Sequence, residues 1–459
     1  MKKAMKRLLV LSVAMLWMTA GYGKIVKVTT KNGVERVFAT TQLGDMEIDS
    51  EGEMVVYDYL GEPIEQIDAN LSTIEITDEP TVFATEENTW TFADEDLLTK
   101  RDVVTLKMLY NSTDPDGQAV TLSGAIHMPK EVWEREEESR GVMLVSHSTV
   151  SNRAECPTNR YTRVESMLLA WRTKPEYIIV ESDFYGFGST ERYPQAYLFG
   201  RTNARATIDA LRAARTILRQ NGIDCGKRLF NIGYSSGAYD AAMVQRIADE
   251  EHPTDIKIDH TMIGGGPMNI SLMYDILRDA DSTDYAVALP LVAVSYNESA
   301  HLGLDYHDIF QKHIADKIEE WILSKEHSTR PLCDSIGTKK LSEIFLPEFL
   351  REDNPNNQKL VALMRQHTMV DGWQPDLDDR IFYLHSQSDE VVMHECGEAY
   401  VDFLRSKGMT HSTLSAWFPN PQLDVNLQTT FITLLSHEGA AAVFARQVQH
   451  IVQAWENND

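Results

Sequence analysis

Residues 230–242 read FNIGYSSGAYDAA. An apolar run leads into Gly233-Tyr234-Ser235-Ser236-Gly237, and the stretch that follows places Ala238, Ala241, Val244 and Ala248 at helical spacing. The pattern is strand, sharp turn, helix. The two glycines permit close backbone approach, and the middle residue of such a turn, Ser235, projects from its apex above the strand. Ser236 comes next, and its backbone N–H, not its hydroxyl, is expected to face an oxyanion formed at Ser235.

Working outward, continuous apolar runs occur at GVMLVSH (141–147), YIIVESD (177–183), RLFNIG (228–233), HTMIGGG (260–266), RIFYLHS (380–386) and LSAWFP (414–419). Helical stretches such as 203–220 and 396–407 separate most of them. Uninterrupted apolar strands alternating with helices imply an α/β fold, a mostly parallel sheet covered on both faces. Ahead of these runs, residues 103–110 and 118–129 alternate around an Asp114-Pro115-Asp116-Gly117 turn, a hairpin pattern. The span from about 268 to 378 is too long for a structureless loop. It is rich in amphipathic patterns such as 306–323, which reads as one helix. It is expected to be a helical insertion above the ligand-binding edge of the sheet.

A serine alone is a weak nucleophile and needs a base held by an acid. Asp389 follows the run 380–386, with Glu390 as the rival, and His437 stands just ahead of the last helix pattern. Ser235, Asp389 and His437 thus occur in the chain order that a strand-turn-helix nucleophile requires. A second oxyanion donor is expected in the loop after 141–147, from the backbone N–H of Thr149 first and of Ser148 second. His147 reads as a loop organiser. The Gly-rich turn GFGST (186–190) lacks the helix and lysine context of a phosphate loop, and Gly264-Gly265-Gly266 reads as a close-packing turn at a strand end, not a cofactor site. The chemistry requires no metal and no cofactor.

Residues 1–23 carry four cations (Lys2, Lys3, Lys6 and Arg7) ahead of an apolar run that starts at Leu8 and ends in small residues. This is the pattern of a secretory leader, too short and wrongly flanked for a stable membrane span. Its removal shifts the formal net charge from −26 to −30. Such a chain is not expected to bind nucleic acid or anionic membrane. Cys156, Cys225, Cys333 and Cys396 lack metal-site spacing, and their redox state is left open. Residues 26–48 and 54–76 form a weak repeat in which Gly33 aligns with Gly61 and Leu43 with Leu71. Each half reads as strand, glycine turn, strand and short strand, a small β module over 24–96 that ends in an acidic linker (79–96) with one short strand.

The GYSSGA turn, Asp389, His437, the pre-sheet STDPDGQAVTLSGAIHMP, the turn ESDFYGFG and the helix ATIDALRAAR together resemble the α/β-hydrolase superfamily. The closest likeness is to secretory lipases and related exported bacterial esterases, over about residues 97–457. That resemblance implies an α/β-hydrolase domain (97–459) and cleavage of carboxylic esters through an acyl-enzyme. It further implies that the insertion acts as a lid and acyl pocket, with a small-molecule, lipid or glycan ester as substrate. The same scaffold also carries serine peptidases, acetyl or feruloyl esterases, and inactive binding modules, and these remain open at this point.

Overall fold

The structure, a computed structural model, describes residues 23–48, 53–67, 71–94, 97–159, 177–251, 253–417 and 419–458. The leader, except Gly23, lies outside the described residues. Six short strands open the chain: β1 (Ile25–Thr30), β2 (Glu35–Ala39), β3 (Leu43–Ile48), β4 (Met54–Asp58), β5 (Pro63–Ile67) and β6 (Leu71–Thr77). They follow the repeat strand for strand, and Gly33 and Gly61 share the same positive φ of 85° at the hairpin turns. Yet the sheets are β2-β1-β6 and β3-β4-β5, so the two halves exchange their third strands. A three-stranded sheet cannot bury a face alone. Interlocking lets Val26, Val28 and Phe38 pack with Leu43, Met46, Met54 and Val56 in one core.

The expected linker is instead β7 (Thr81–Asp94), paired along its length with β8 (Leu97–Thr113). Its acids explain the misreading. Glu86 pairs with Lys107 at 2.5 Å and Glu87 with Lys130 at 2.8 Å, which is how a charged edge strand discourages edge-to-edge pairing.

β7 and β8 begin a ten-stranded sheet that continues with β9 (Ala119–Pro129), β10 (Gly141–Ser146), β11 (Tyr177–Ser182), β12 (Arg228–Tyr234), β13 (His260–Gly264), β14 (Ile381–Ser386), β15 (His411–Thr413) and β16 (Leu427–Ile432). The spatial order is β15-β16-β14-β13-β12-β10-β11-β9-β8-β7. Strands β15 through β11 in that order run parallel, and β9, β8 and β7 are antiparallel. The helices α1 (Gly200–Gln220) and α2 (Ser236–Glu251) bury Ala206, Ile208 and Leu211 and Ala238, Ala241 and Val244 in the larger core. The last helix, His437–Glu456, packs with Phe230, Ile232 and Phe382 in the second.

The last long strand is β16, not 414–419. The segment LQTTFI is buried despite its polar centre because each polar side chain has a partner: Gln428 with Gln422, Thr429 with His411, and Thr430 with the Leu414 carbonyl. The expected helix 306–323 is broken into a turn at Tyr306–Asp308, a helix at Lys312–Ala315 and a π-turn at Glu319–Leu323. Backbone bonds from Gln311 to the Ile344 carbonyl and from Leu346 to the Ile309 carbonyl compete with helical pairing there. The rest of the 268–378 span includes the helices α3 (Ile270–Ala280), α4 (Ala288–Ser299), α5 (Thr329–Ile336) and α6 (Pro355–Gln366). Among the described residues no helix is long and apolar enough to cross a membrane, and the four cysteines are free thiols.

One buried hydroxyl ties the antiparallel edge to the rest. Tyr110 on β8 lies 2.6 Å from the Ser182 hydroxyl at the end of β11 and donates to the Ala206 carbonyl on α1 at 3.0 Å. Tyr110→Phe removes both of these bonds, and urea unfolding should show a loss of about 1–3 kcal/mol.

Candidate active site

The carboxyl ends of β10, β12, β13, β14 and β16 lie side by side, and the loops that leave them supply Thr149, Ser235, Asp389 and His437. At the turn between β12 and α2, Ser235 has φ 59°, the left-handed region that a non-glycine residue enters only under constraint. Its N–H donates to the Gly264 carbonyl at 2.9 Å, and its own carbonyl accepts from Ala238 N–H at 3.0 Å. The flanking glycines are required by contact. A Cβ on Gly233 would fall 2.1 Å from the Gly237 carbonyl oxygen, and one on Gly237 would fall 2.1 Å from that of Ser146.

The Ser235 hydroxyl lies 2.9 Å from His437 Nε2, and His437 Nδ1 lies 2.6 Å from Asp389 Oδ2. The structure therefore brings together the three residues expected to act in sequence, across chain separations of 202 and 48 positions. Asp389 Oδ1 accepts from Val391 N–H at 2.9 Å and Val392 N–H at 2.8 Å, which fixes the carboxylate. Burial alone would raise the pKa of Asp389. The hydrogen bonds and charge of His385 and His437 outweigh it and hold the carboxyl well below the usual range. It is thus an anion wherever His437 could act as a base.

After α7 (His394–Ser406), His437 is the first residue of the last helix, α8 (His437–Glu456), which Ser436 caps by accepting from Gly439 N–H at 3.1 Å. Glu390, the rival acid, accepts from the His437 backbone N–H at 3.0 Å. It steadies the histidine's backbone while Asp389 holds the ring. Two supporting residues escaped the sequence reading. Tyr234 donates to the His437 carbonyl at 2.7 Å with its ring 5.1 Å from the imidazole. His385, inside β14, reaches Asp389 Oδ2 at 3.4 Å and Tyr383 at 2.7 Å. The alternation Tyr383-x-His385, which puts both side chains on one face of the strand, was the available signal.

Ser236 opens α2, where backbone N–H groups have no intrahelical acceptor, so its N–H is available to an anion beside Ser235. Thr149 Oγ1 donates to Ser236 Oγ at 3.2 Å and lies 3.0 Å from the Tyr197 hydroxyl, so the 147–149 loop is pinned against the turn. Ser148 and Thr149 both line the cavity that holds Ser235 and His437. His147 places Nδ1 2.8 Å from the Ser148 carbonyl and packs on Phe184 at 4.4 Å, inside the loop rather than on the reacting atoms. The glycine turn after β13 is a packing feature: a Cβ on Gly265 would meet the Tyr234 ring at 2.9 Å and His437 at 3.2 Å. Among the described residues no group of three His, Cys, Asp or Glu side chains could hold a metal ion.

The site opens into a cavity of about 740 Å³ that reaches the insertion at Tyr285, Thr329 and Arg330. Among the described residues, its walls carry the carboxylates of Glu155, Asp284, Asp334, Glu390 and Glu438, with Arg330 as the one lysine or arginine lining it and Lys339 paired to Asp284 at 2.5 Å.

The strand order, the serine turn and the carboxyl-end site define the α/β-hydrolase fold. The chain resembles the secretory lipases, whose family model matches residues 153–371, a span that includes Ser235 and ends before Asp389 and His437. Among solved structures it is similar to the rice cell wall degrading esterase LipA from Xanthomonas oryzae, with 18% identity and a TM-score of 0.65 over 83% of this chain and 99% of that one. It is also similar to Candida antarctica lipase A, with 13% identity and a TM-score of 0.53 over 76% of each chain. None of the curated proteins compared matches it by sequence.

Behind Ser236, Asp240 is fully buried with one hydrogen bond, accepted from Asn203 at 3.2 Å. Burial pushes its carboxyl up to about 8, the Asn203 bond opposing. A carboxyl raised on folding binds a proton that the unfolded chain has released, so its stabilising contribution is lost as pH rises from about 4 toward 8. Asp240→Asn should flatten that part of the stability profile and be more stable than the parent above pH 8, measured by urea unfolding across pH.

Proposed function

We propose that the protein is an exported serine hydrolase of carboxylic esters. The observation that carries the reading is the continuous hydrogen-bonded line from Ser235 through His437 to Asp389, with the serine on a strained turn at a helix start. The match to the secretory lipases over residues 153–371 supports the ester chemistry, and the cationic and apolar leader supports export.

His437 Nε2 takes the Ser235 proton as Oγ bonds to the ester carbonyl carbon. The carbonyl oxygen, now negative, is held by the N–H groups of Ser236 and of Thr149 or Ser148. His437 then gives its proton to the alcohol oxygen as that C–O bond breaks, leaving an acyl-serine. Water adds to the acyl carbon, losing a proton to His437. The Ser235–acyl bond breaks, the serine recovers its proton, and the carboxylic acid departs. Asp389 stays ionised and holds His437 in the tautomer with hydrogen on Nδ1.

On p-nitrophenyl esters, Ser235→Ala should reduce kcat by roughly 10⁶-fold. Asp389→Asn should reduce it by roughly 10⁴-fold. Ser236→Ala, which removes only a hydroxyl bonded to Thr149, should change it by less than about tenfold. Full activity in Ser235→Ala would sink the reading.

The carboxylates around the cavity oppose anionic substrates. At low salt, 3-acetoxybenzamide should be cleaved faster than 3-acetoxybenzoate, and added salt should narrow the gap. A preference for the benzoate would contradict the expected field.

A further inference from the structure

Two cavities meet at Ser235, and they differ in size, polarity and neighbours. The larger is the 740 Å³ cavity, and His437 lines it. The smaller has about 20 Å³ of room, enough for one or two water molecules. Ser235, Ser236 and Thr149 line it, but His437 does not. The rest of its wall is largely apolar, including Leu198, Met273, Ala288, Val292, Val391 and Val392.

The reaction assigns the two spaces, given the proposed ester hydrolysis on which this step rests. The alcohol oxygen must receive its proton from His437, so the alcohol portion has to leave through the space that His437 faces. The acyl chain then lies on the other side of the carbonyl, toward the small apolar cavity. We infer that this cavity is the acyl site and that its size restricts the enzyme to acyl groups of two or three carbons, on alcohols that can be much larger.

The walls do not yield freely. Leu198, Met273, Val292 and Val392 are each at most 4% exposed. Met273 lies on α3 and Val292 on α4, so the insertion walls the pocket on one side and the turn at Ser235 and Ser236 on another. Such a site resists overfilling, and a single methylene in an apolar pocket discriminates by roughly 10–200-fold. Carbon-by-carbon selection is therefore within reach of this geometry.

The test is a series of p-nitrophenyl acetate, butyrate, octanoate and dodecanoate, with active sites counted by a fluorophosphonate probe. The expected result is a fall in kcat/KM of at least about 10²-fold from acetate to octanoate. Val292→Ala and Met273→Ala should each raise the ratio of butyrate to acetate kcat/KM by about tenfold or more. Using both variants guards against either one failing to fold, since each opens the same wall from a different helix. A probe-reactive enzyme that cleaves octanoate as well as acetate would overturn the acyl limit and leave the hydrolase reading intact. A folded enzyme whose Ser235 does not react with the probe would overturn the hydrolase reading itself. If the variants fold and the chain-length profile does not move, the pocket is not the acyl site.

Discussion

The close passage of three backbone segments around Ser235 governs the site. The end of β10 comes so near the start of α2 that only hydrogen fits at Gly237, and Gly233 is pressed against the same helix turn. Between them Ser235 is held at positive φ, a conformation that costs on the order of 1–3 kcal/mol and persists only where the surroundings impose it. That strain sets the hydroxyl above the sheet edge at the mouth of a helix whose first N–H groups face outward. Everything else in the site is arranged about that fixed point.

The partners come from strands that the parallel sheet places next in line. Crossing from β12 over β13 to β14 and β16 brings Asp389 and His437 to the same edge, although nearly fifty residues separate them in the chain. Their positions are secured twice over. Asp389 is held by two backbone N–H groups and by His385, and His437 by Glu390 on its N–H and Tyr234 on its carbonyl. Such doubled support keeps the imidazole between serine and carboxylate without relying on substrate.

Much of this was legible in the residues because local rules and global packing agree there. The turn at 233–237, the apolar strands 141–146, 177–182, 228–234 and 381–386, and the order serine, aspartate, histidine all follow from patterns with one structural solution. What could not be read depended on partners distant in sequence. LQTTFI reads as polar until Gln422, His411 and Leu414 are seen to satisfy its side chains. The acids of β7 look like a linker until Lys107 and Lys130 stand opposite. The segment 306–323 keeps helical periodicity, yet the bridge between Phe310 and Phe345 takes its backbone out of the helix. In the amino-terminal repeat the strands themselves were readable, whereas the exchange of β3 and β6 was not, because either pairing satisfies the same alternation.

Of the two adjacent serines, we propose Ser235 as the nucleophile and Ser236 as a donor through its backbone. Peptide mapping by mass spectrometry after reaction with a fluorophosphonate addresses this directly. A single phosphonyl adduct is expected on Ser235, formed by the parent and by Ser236→Ala and absent from Ser235→Ala. An adduct on Ser236, or an unreacted Ser235 in the folded protein, would contradict it.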